Sequence, residues 1–143
     1  MSDLNLKKIK EGLNVELKEA TDELPKSIYE TYSSFANTSG GKIYLGIKEA
    51  KDKNKNNIIV GINKPNKLKN DFFTTINSNK VSLVLGDDEI WKEIDIDGKC
   101  VIEITINEAP KELKPVYLNG NKRYTYIRMG DGDFLADENR IFA

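Results

Sequence analysis

Glu11, Glu16, Lys18 and Glu49 are the side chains whose types and spacing could do chemistry. Glu11 and Glu16 stand five apart, which is roughly 140° around a continuous helix and opposite faces of a continuous strand, so they converge only across a break in the chain. Gly12 supplies a break between them. A helix-end carboxylate and a strand carboxylate would then face one pocket, with Lys18 on the strand face of Glu16. With Glu49 added, three carboxylates would suit one or two hard divalent cations, magnesium or manganese, which take oxygen ligands and can act at a phosphodiester. Lys18 would steady phosphate or transition-state charge. The plainer reading is three solvated acids of an acidic N-terminal segment. The chain has no histidine and one cysteine, Cys100, which excludes serine–histidine catalysis, histidine-based zinc sites and thiolate cages.

The elements that must position these groups follow from apolar spacing. Leu24, Ile28, Tyr32, Phe35 and Ala36 recur at threes and fours, predicting a helix over 24–37 with Pro25 in its first turn. Asn37 through Gly41 supply its stop, and at least one of Gly40 and Gly41 is expected to take positive φ in a tight turn beside the acids. Ile43, Leu45 and Ile47 then alternate with Lys42, Tyr44 and Lys48, a strand buried on one face. Glu49 shares the buried parity, so the strand would deliver its carboxylate to the rim of the core.

Upstream, residues 3–11 predict a short helix with Ser2 or Asp3 as N-cap and Leu6, Ile9 and Leu13 on its apolar side, and Val15–Lys18 a short strand. Downstream come a polar loop over 51–57, a strand over 58–62, a helix opened by Pro65 with Leu68, Phe72, Phe73 and Ile76 inward, and a strand over 81–85. Asp97-Gly98 suits the turn of a hairpin between 90–96 and 100–106, and Asn119-Gly120-Asn121 that of a second between 115–118 and 123–129. Cys100 sits on the buried parity of its strand, which gives it a structural role. The class is α/β or α+β, a single domain built on a mixed sheet with two or three helices and C-terminal β-hairpins.

At 143 residues the chain is of one-domain size. The single cysteine, the lack of a membrane-length apolar run and the lack of a signal-peptide core predict a soluble, cytoplasmic protein without disulfides. Net charge is −1, which argues against a strongly basic nucleic-acid binder, but charge is segregated. Residues 48–69 hold seven lysines against Glu49 and Asp52, and residues 87–112 hold nine acids against three lysines. Two solvated faces would explain this. A polyanion-binding side would explain it too, with Lys51, Lys53, Lys55, Arg123 and Arg128 on phosphates. Arg128 has the further option of a salt bridge to the acidic hairpin.

Glu11, Glu16 and Lys18 in the order Glu-x4-Glu-x-Lys, the helix end Ala36 to Gly41 and the strand Ile43 to Ile47 together resemble the Schlafen AlbA-type domain. Ile59 to Ile62, Pro115-Val116-Tyr117 and the Tyr-x-Arg-x-Gly of Tyr126 to Gly130 extend the likeness over nearly the whole chain. The resemblance implies an α/β nucleic-acid-associated domain of the kind found in proteins classed as transcriptional regulators, ahead of ATPase-like or winged-helix parts, and here either stand-alone or cut from a larger protein. Some relatives are metal-dependent RNA endonucleases with three acids, which map onto Glu11, Glu16 and Glu49. Active members carry Asp at the third place, three residues beyond the strand glycine, as Glu49 lies beyond Gly46. Two functions stand side by side: a DNA- or RNA-binding module, and a magnesium- or manganese-dependent ribonuclease. Pairing of the sheet between copies, as a homo-oligomer, is a third.

Overall fold

Helix and strand periodicities in this chain place apolar residues on both faces of one sheet, and two separate cores result. In the computed structural model, which describes residues 3–137, the elements are α1 (Asp3–Lys8), β1 (Val15–Lys18), α2 (Ile28–Asn37), β2 (Gly41–Leu45), β3 (Ile47–Lys48), β4 (Ile58–Ile59), α3 (Pro65–Ile76), β5 (Trp91–Ile96), β6 (Lys99–Ile106), β7 (Tyr126–Met129) and β8 (Gly132–Leu135). The N-cap expected at Ser2 or Asp3 falls outside the described residues and side chains. The main sheet runs β1-β2-β6-β5. β1 lies parallel to β2, while β2–β6 and β6–β5 are antiparallel, which makes the sheet mixed. β3–β4 and β7–β8 form two small antiparallel ribbons. The architecture is the expected α+β domain with C-terminal hairpins.

On one face Ile43, Leu45, Ile102, Ile104 and Ile106 pack against Ile28, Tyr32 and Phe35 of α2 and Leu68, Phe72 and Ile76 of α3. Helices of ten and twelve residues are marginal alone. Burying each large side chain contributes about 1.5–3 kcal/mol, so docking on the sheet decides that they form. On the other face Leu17, Tyr44, Ile96 and Val101 meet Leu6 of α1 and Ile47 and Ile59 of the β3–β4 ribbon.

Departures from the sequence reading have local causes. Gly46, at φ 96°, kinks the chain after Leu45, so Ile47 joins the second core and the parity argument for Glu49 does not carry across. Tyr44 is buried as well, because both faces are covered. Helix α2 begins at Ile28, since the carbonyls of Pro25 and Lys26 form a turn before it and the Ser27 hydroxyl accepts from Lys18 Nζ (3.0 Å) instead of capping. The expected strand over 58–62 is two residues long, and the Val60 and Gly61 amides donate to Gly46 O. No strand forms over 81–85: Val81 makes a single bridge to Leu118, and the Tyr32 hydroxyl takes up Leu83 O and Leu85 N. The Asp97-Gly98 turn is as expected, with φ of 55° and 80°, the primed geometry that suits tight hairpins. Around Asn119-Gly120 only a Tyr117–Thr125 bridge forms, and Tyr126–Met129 pairs onward with Gly132–Leu135.

Candidate nucleic-acid interface and acid site

The acids do approach one another, by a route the strand pattern did not supply. After the Gly46 kink, Glu49 turns back toward the segment before β1, and its Oε2 accepts from the backbone amide of Glu11 (2.5 Å). Glu11 Oε2 in turn accepts from the Leu17 amide (3.0 Å). Burial pushes the Glu11 carboxyl up from 4.5 to about 7, with Glu16 and Glu49 adding to the rise against the Leu17 bond that lowers it. Glu16 is engaged differently. Its Oε2 lies 2.9 Å from Lys18 Nζ and its Oε1 3.1 Å from Arg128 Nη2. Glu11, predicted at a helix end, lies outside any helix, since α1 stops at Lys8.

Arg128 is the centre of this region. Its side chain is 0% exposed, so it offers no surface to a phosphate. Nε and Nη2 donate to Gly12 O (3.1 and 2.8 Å), Nη2 also reaches Val15 O (2.8 Å), and Nη1 donates to Asp133 Oδ1 (2.8 Å). The guanidinium lies 4.8 Å over the Phe35 ring. Its ion pairs are to Glu16 and Asp133, not to the acidic hairpin. Asp133 is held from the other side by Thr31 Oγ1 (2.7 Å) and Ser34 Oγ. The arginine thus clips the β7–β8 ribbon to β1 and to α2. A buried charge is tolerable only when paired and fully hydrogen-bonded, and this one is.

The turn residues serve the same clip. Asn37 Nδ2 donates to Val116 O (2.8 Å) and Tyr126 O (3.0 Å), and its Oδ1 accepts from Val116 N (2.7 Å). Gly40 has φ 71° between α2 and β2, as the helix stop requires. A Cβ on Gly41 would meet Asn14 O and the Phe35 ring at 2.8 Å. Gly41 therefore packs against Asn14 and against Phe35, the ring beneath Arg128. Polar residues on α2, above all the buried Thr31, Ser33 and Ser34, were missed as site builders. A cue was present in the sequence: uncharged hydroxyl residues, Thr31, Ser33 and Ser34, on the helix faces turned away from the apolar stripe, where a solvated helix would carry charge.

The lysines separate into two sets. Lys64, Lys67 and Lys69 belong to α3 and its cap, where Lys67 pairs with Asp71 (3.3 Å) and Lys69 with Asp88 (3.4 Å). Lys51, Lys53 and Lys55 sit in the loop joining β3 to β4, on the opposite side of the sheet, and are exposed. Among the described residues none of these three ammonium groups has a partner. The loop's base is tied down all the same. Lys10 Nζ donates to Lys55 O (2.9 Å) and Asn57 Oδ1 (3.0 Å), and Asn57 Nδ2 donates to Leu6 O (3.2 Å) and Ile9 O (2.6 Å). Arg123 is exposed in a 3-10 turn, Lys122–Tyr124, on the segment that bridges to Val81, and so belongs to the α3 side. Four acids of the acidic stretch are in internal ion pairs: Asp88, Asp97, Glu103 and Glu108 pair with Lys69, Lys7, Lys42 and Lys114.

Carboxylate oxygens are the right donor type for magnesium or manganese. Their arrangement is not. Both Glu16 oxygens are taken by cations, Glu11 and Glu49 each give one oxygen to a backbone amide, and among the described residues no three acidic or thiol groups stand in the geometry of a metal site. As arranged, the residues do not fit the ion. Among the described residues no helix is long and apolar enough to cross a membrane.

No curated protein gives a significant match to the chain. The solution structure of the N-terminal domain of a RecG-related protein from Nitrosomonas europaea, named for ATP-dependent DNA helicase, superposes with a TM-score of 0.68 at 26% identity, covering 95% of this chain and 92% of that one. The crystal structure of the DIP2311 protein from Corynebacterium diphtheriae shares the fold, with a TM-score of 0.57 at 18% identity over 87% of this chain and 22% of that one. The sequence profile described as Schlafen, AlbA_2 matches residues 11–137. This chain belongs to the Schlafen AlbA_2 family.

Proposed function

We propose that the protein is a nucleic-acid-binding module that meets phosphates with the loop between β3 and β4. One observation carries this: Lys51, Lys53 and Lys55 are exposed and, among the described residues, unpaired, on a loop whose base is hydrogen-bonded to α1 and the residues after it, in a domain that pairs lysine with acid at seven other places. Each phosphate neutralised releases counterions, so affinity should fall with salt at a slope of about 0.9 per phosphate on duplex DNA. The family, and the helicase-related context named for the Nitrosomonas europaea relative, support a nucleic-acid partner and a longer protein in which such a domain precedes an ATPase-like or winged-helix region. The test is a salt titration of duplex and tRNA binding with Lys51, Lys53 and Lys55 changed to Gln together. The reading predicts a flatter slope and weaker binding.

A second reading, a magnesium- or manganese-dependent ribonuclease, keeps one observation in its favour. Glu49 bonds the Glu11 amide, and Glu16 and Glu49 both lie near enough to the Glu11 carboxyl to add to the rise that burial causes in its pKa. That reading requires Glu16 to leave Lys18 and Arg128. Labelled RNA incubated with and without manganese tests it, using wild type, Glu16→Gln and Glu49→Asp. The absence of manganese-dependent cleavage in all three would end it.

A further inference from the structure

A cleft of about 270 Å³ lies away from both regions, lined by Leu83, Leu113, Pro115 and Tyr117 together with the charged Glu112, Lys114 and Lys122. Its chemistry differs from that of the lysine loop, which contains no aromatic residue between Ala50 and Asn57. Here Leu113 is 52% exposed beside Pro115, and Tyr117 is half-buried at the wall. Next along the chain from Lys122 stands Arg123, exposed, and among the described residues its guanidinium has no hydrogen-bond or ion-pair partner. The backbone that carries these groups is fixed. Asn121 Oδ1 accepts from Arg123 N (2.9 Å), Thr125 Oγ1 donates to Lys122 O (2.7 Å), Leu118 N donates to Tyr124 O (3.0 Å), and Tyr117 N donates to Ser82 Oγ (2.9 Å).

A cleft of mixed apolar and charged lining with Tyr117 in its wall, and an arginine without a partner among the described residues one position beyond its lining residue Lys122, is a combination that can stack an unpaired base and hold the phosphate beside it. A duplex cannot present a base face there without opening. We infer that this cleft seats one base of a single-stranded nucleic acid against Tyr117, with an adjoining phosphate on Arg123. The inference rests on the nucleic-acid reading above but uses a different surface, so the two can fail separately. The molecule would then hold duplex and single strand at different places, which suits a domain that works at a junction between them.

The test is fluorescence anisotropy with a labelled 12-nucleotide oligo(dT), the matching oligo(U) and a 12-base-pair duplex. Tyr117→Ala is expected to weaken single-strand binding about tenfold, the scale of one base–aromatic stack, while leaving duplex binding unchanged. Tyr117→Phe should bind as wild type, because stacking needs the ring and not the hydroxyl. Arg123→Gln should weaken single-strand binding and reduce its salt slope by about 0.7. Thermal melting of each variant, with Tyr117→Phe as the control that keeps the half-buried ring, separates a loss of binding from a loss of fold. The lysine-loop triple variant should retain the Tyr117 effect even where its duplex binding is abolished. Single-strand affinity unchanged by Tyr117→Ala, or no single-strand binding by wild type, would overturn the inference.

Discussion

Arg128 and the 51–55 lysines are cations put to opposite uses, and the contrast shows how charge divides between fold and partner. Around Arg128 the side chain is fully buried, stacked on Phe35 and bonded to two carbonyls and two carboxylates. In the loop, three ammonium groups face solvent with no partner among the described residues. Burial with partners makes a charge structural, because removing one partner strands the other. Exposure without partners leaves it for a ligand. A motif arginine is thus no guide to phosphate binding until its burial is known.

The contrast breaks most visibly at Arg128. Arg128→Ala would leave Glu16 and Asp133 without their shared cation and is expected to cost about 3–5 kcal/mol, the scale for breaking a buried pair. Arg128→Lys should recover little, since one ammonium cannot reach acceptors on Gly12, Val15, Glu16 and Asp133 at once. Chemical denaturation checks both. A loss under about 1 kcal/mol would place Arg128 with exposed ion pairs and dissolve the distinction.

Next in size is Gly41→Ala. The added methyl would meet Asn14 O and Phe35 at 2.8 Å, crowding the ring beneath Arg128, and overpacking of this kind costs about 1–3 kcal/mol. Glu16→Gln is expected in the same range, because it loses charge opposite both Lys18 and Arg128. An exposed carboxylate would barely register.

A smaller effect follows from Glu11, whose carboxyl is raised to about 7 by burial first and by Glu16 and Glu49 after it. The folded state therefore holds this proton more tightly than the unfolded chain. Its contribution is full below the ordinary carboxylate range and is lost as pH rises through about 7. Melting temperature should accordingly drop between pH 6 and 8 by more in wild type than in Glu11→Gln, which keeps an acceptor for the Leu17 amide. Equal drops would show that Glu11 does not titrate there.

Much of this was legible in the sequence where local spacing decides. α3, with Leu68, Phe72 and Ile76 four apart, and the β5–β6 hairpin across Asp97-Gly98 both read correctly, since helix period and turn chemistry act within a few residues. The glycine stop of α2 read correctly for the same reason. What failed depended on distant partners. Gly46 looked like one more strand residue, yet its positive φ sends Ile47 to the other core and Glu49 back to Glu11. The β7–β8 ribbon and its tie to α2 join residues about a hundred positions apart, through Asp133 with Thr31 and Ser34, and no spacing rule reaches that far. The seven-lysine run read as one patch because sequence does not show that the sheet passes between its two halves.

Nucleic-acid binding turns on the lysine loop, and one measurement meets it directly: the salt dependence of duplex binding by wild type and by the variant with Lys51, Lys53 and Lys55 changed to Gln. Folding should be untouched, because the three ammonium groups are exposed and have no partner among the described residues. If the loop meets phosphates, the slope of log affinity against log salt falls by about 0.9 for each phosphate no longer neutralised, up to about 2.7 for all three. A slope unchanged in a variant that melts as wild type would contradict the claim and return these lysines to solvent.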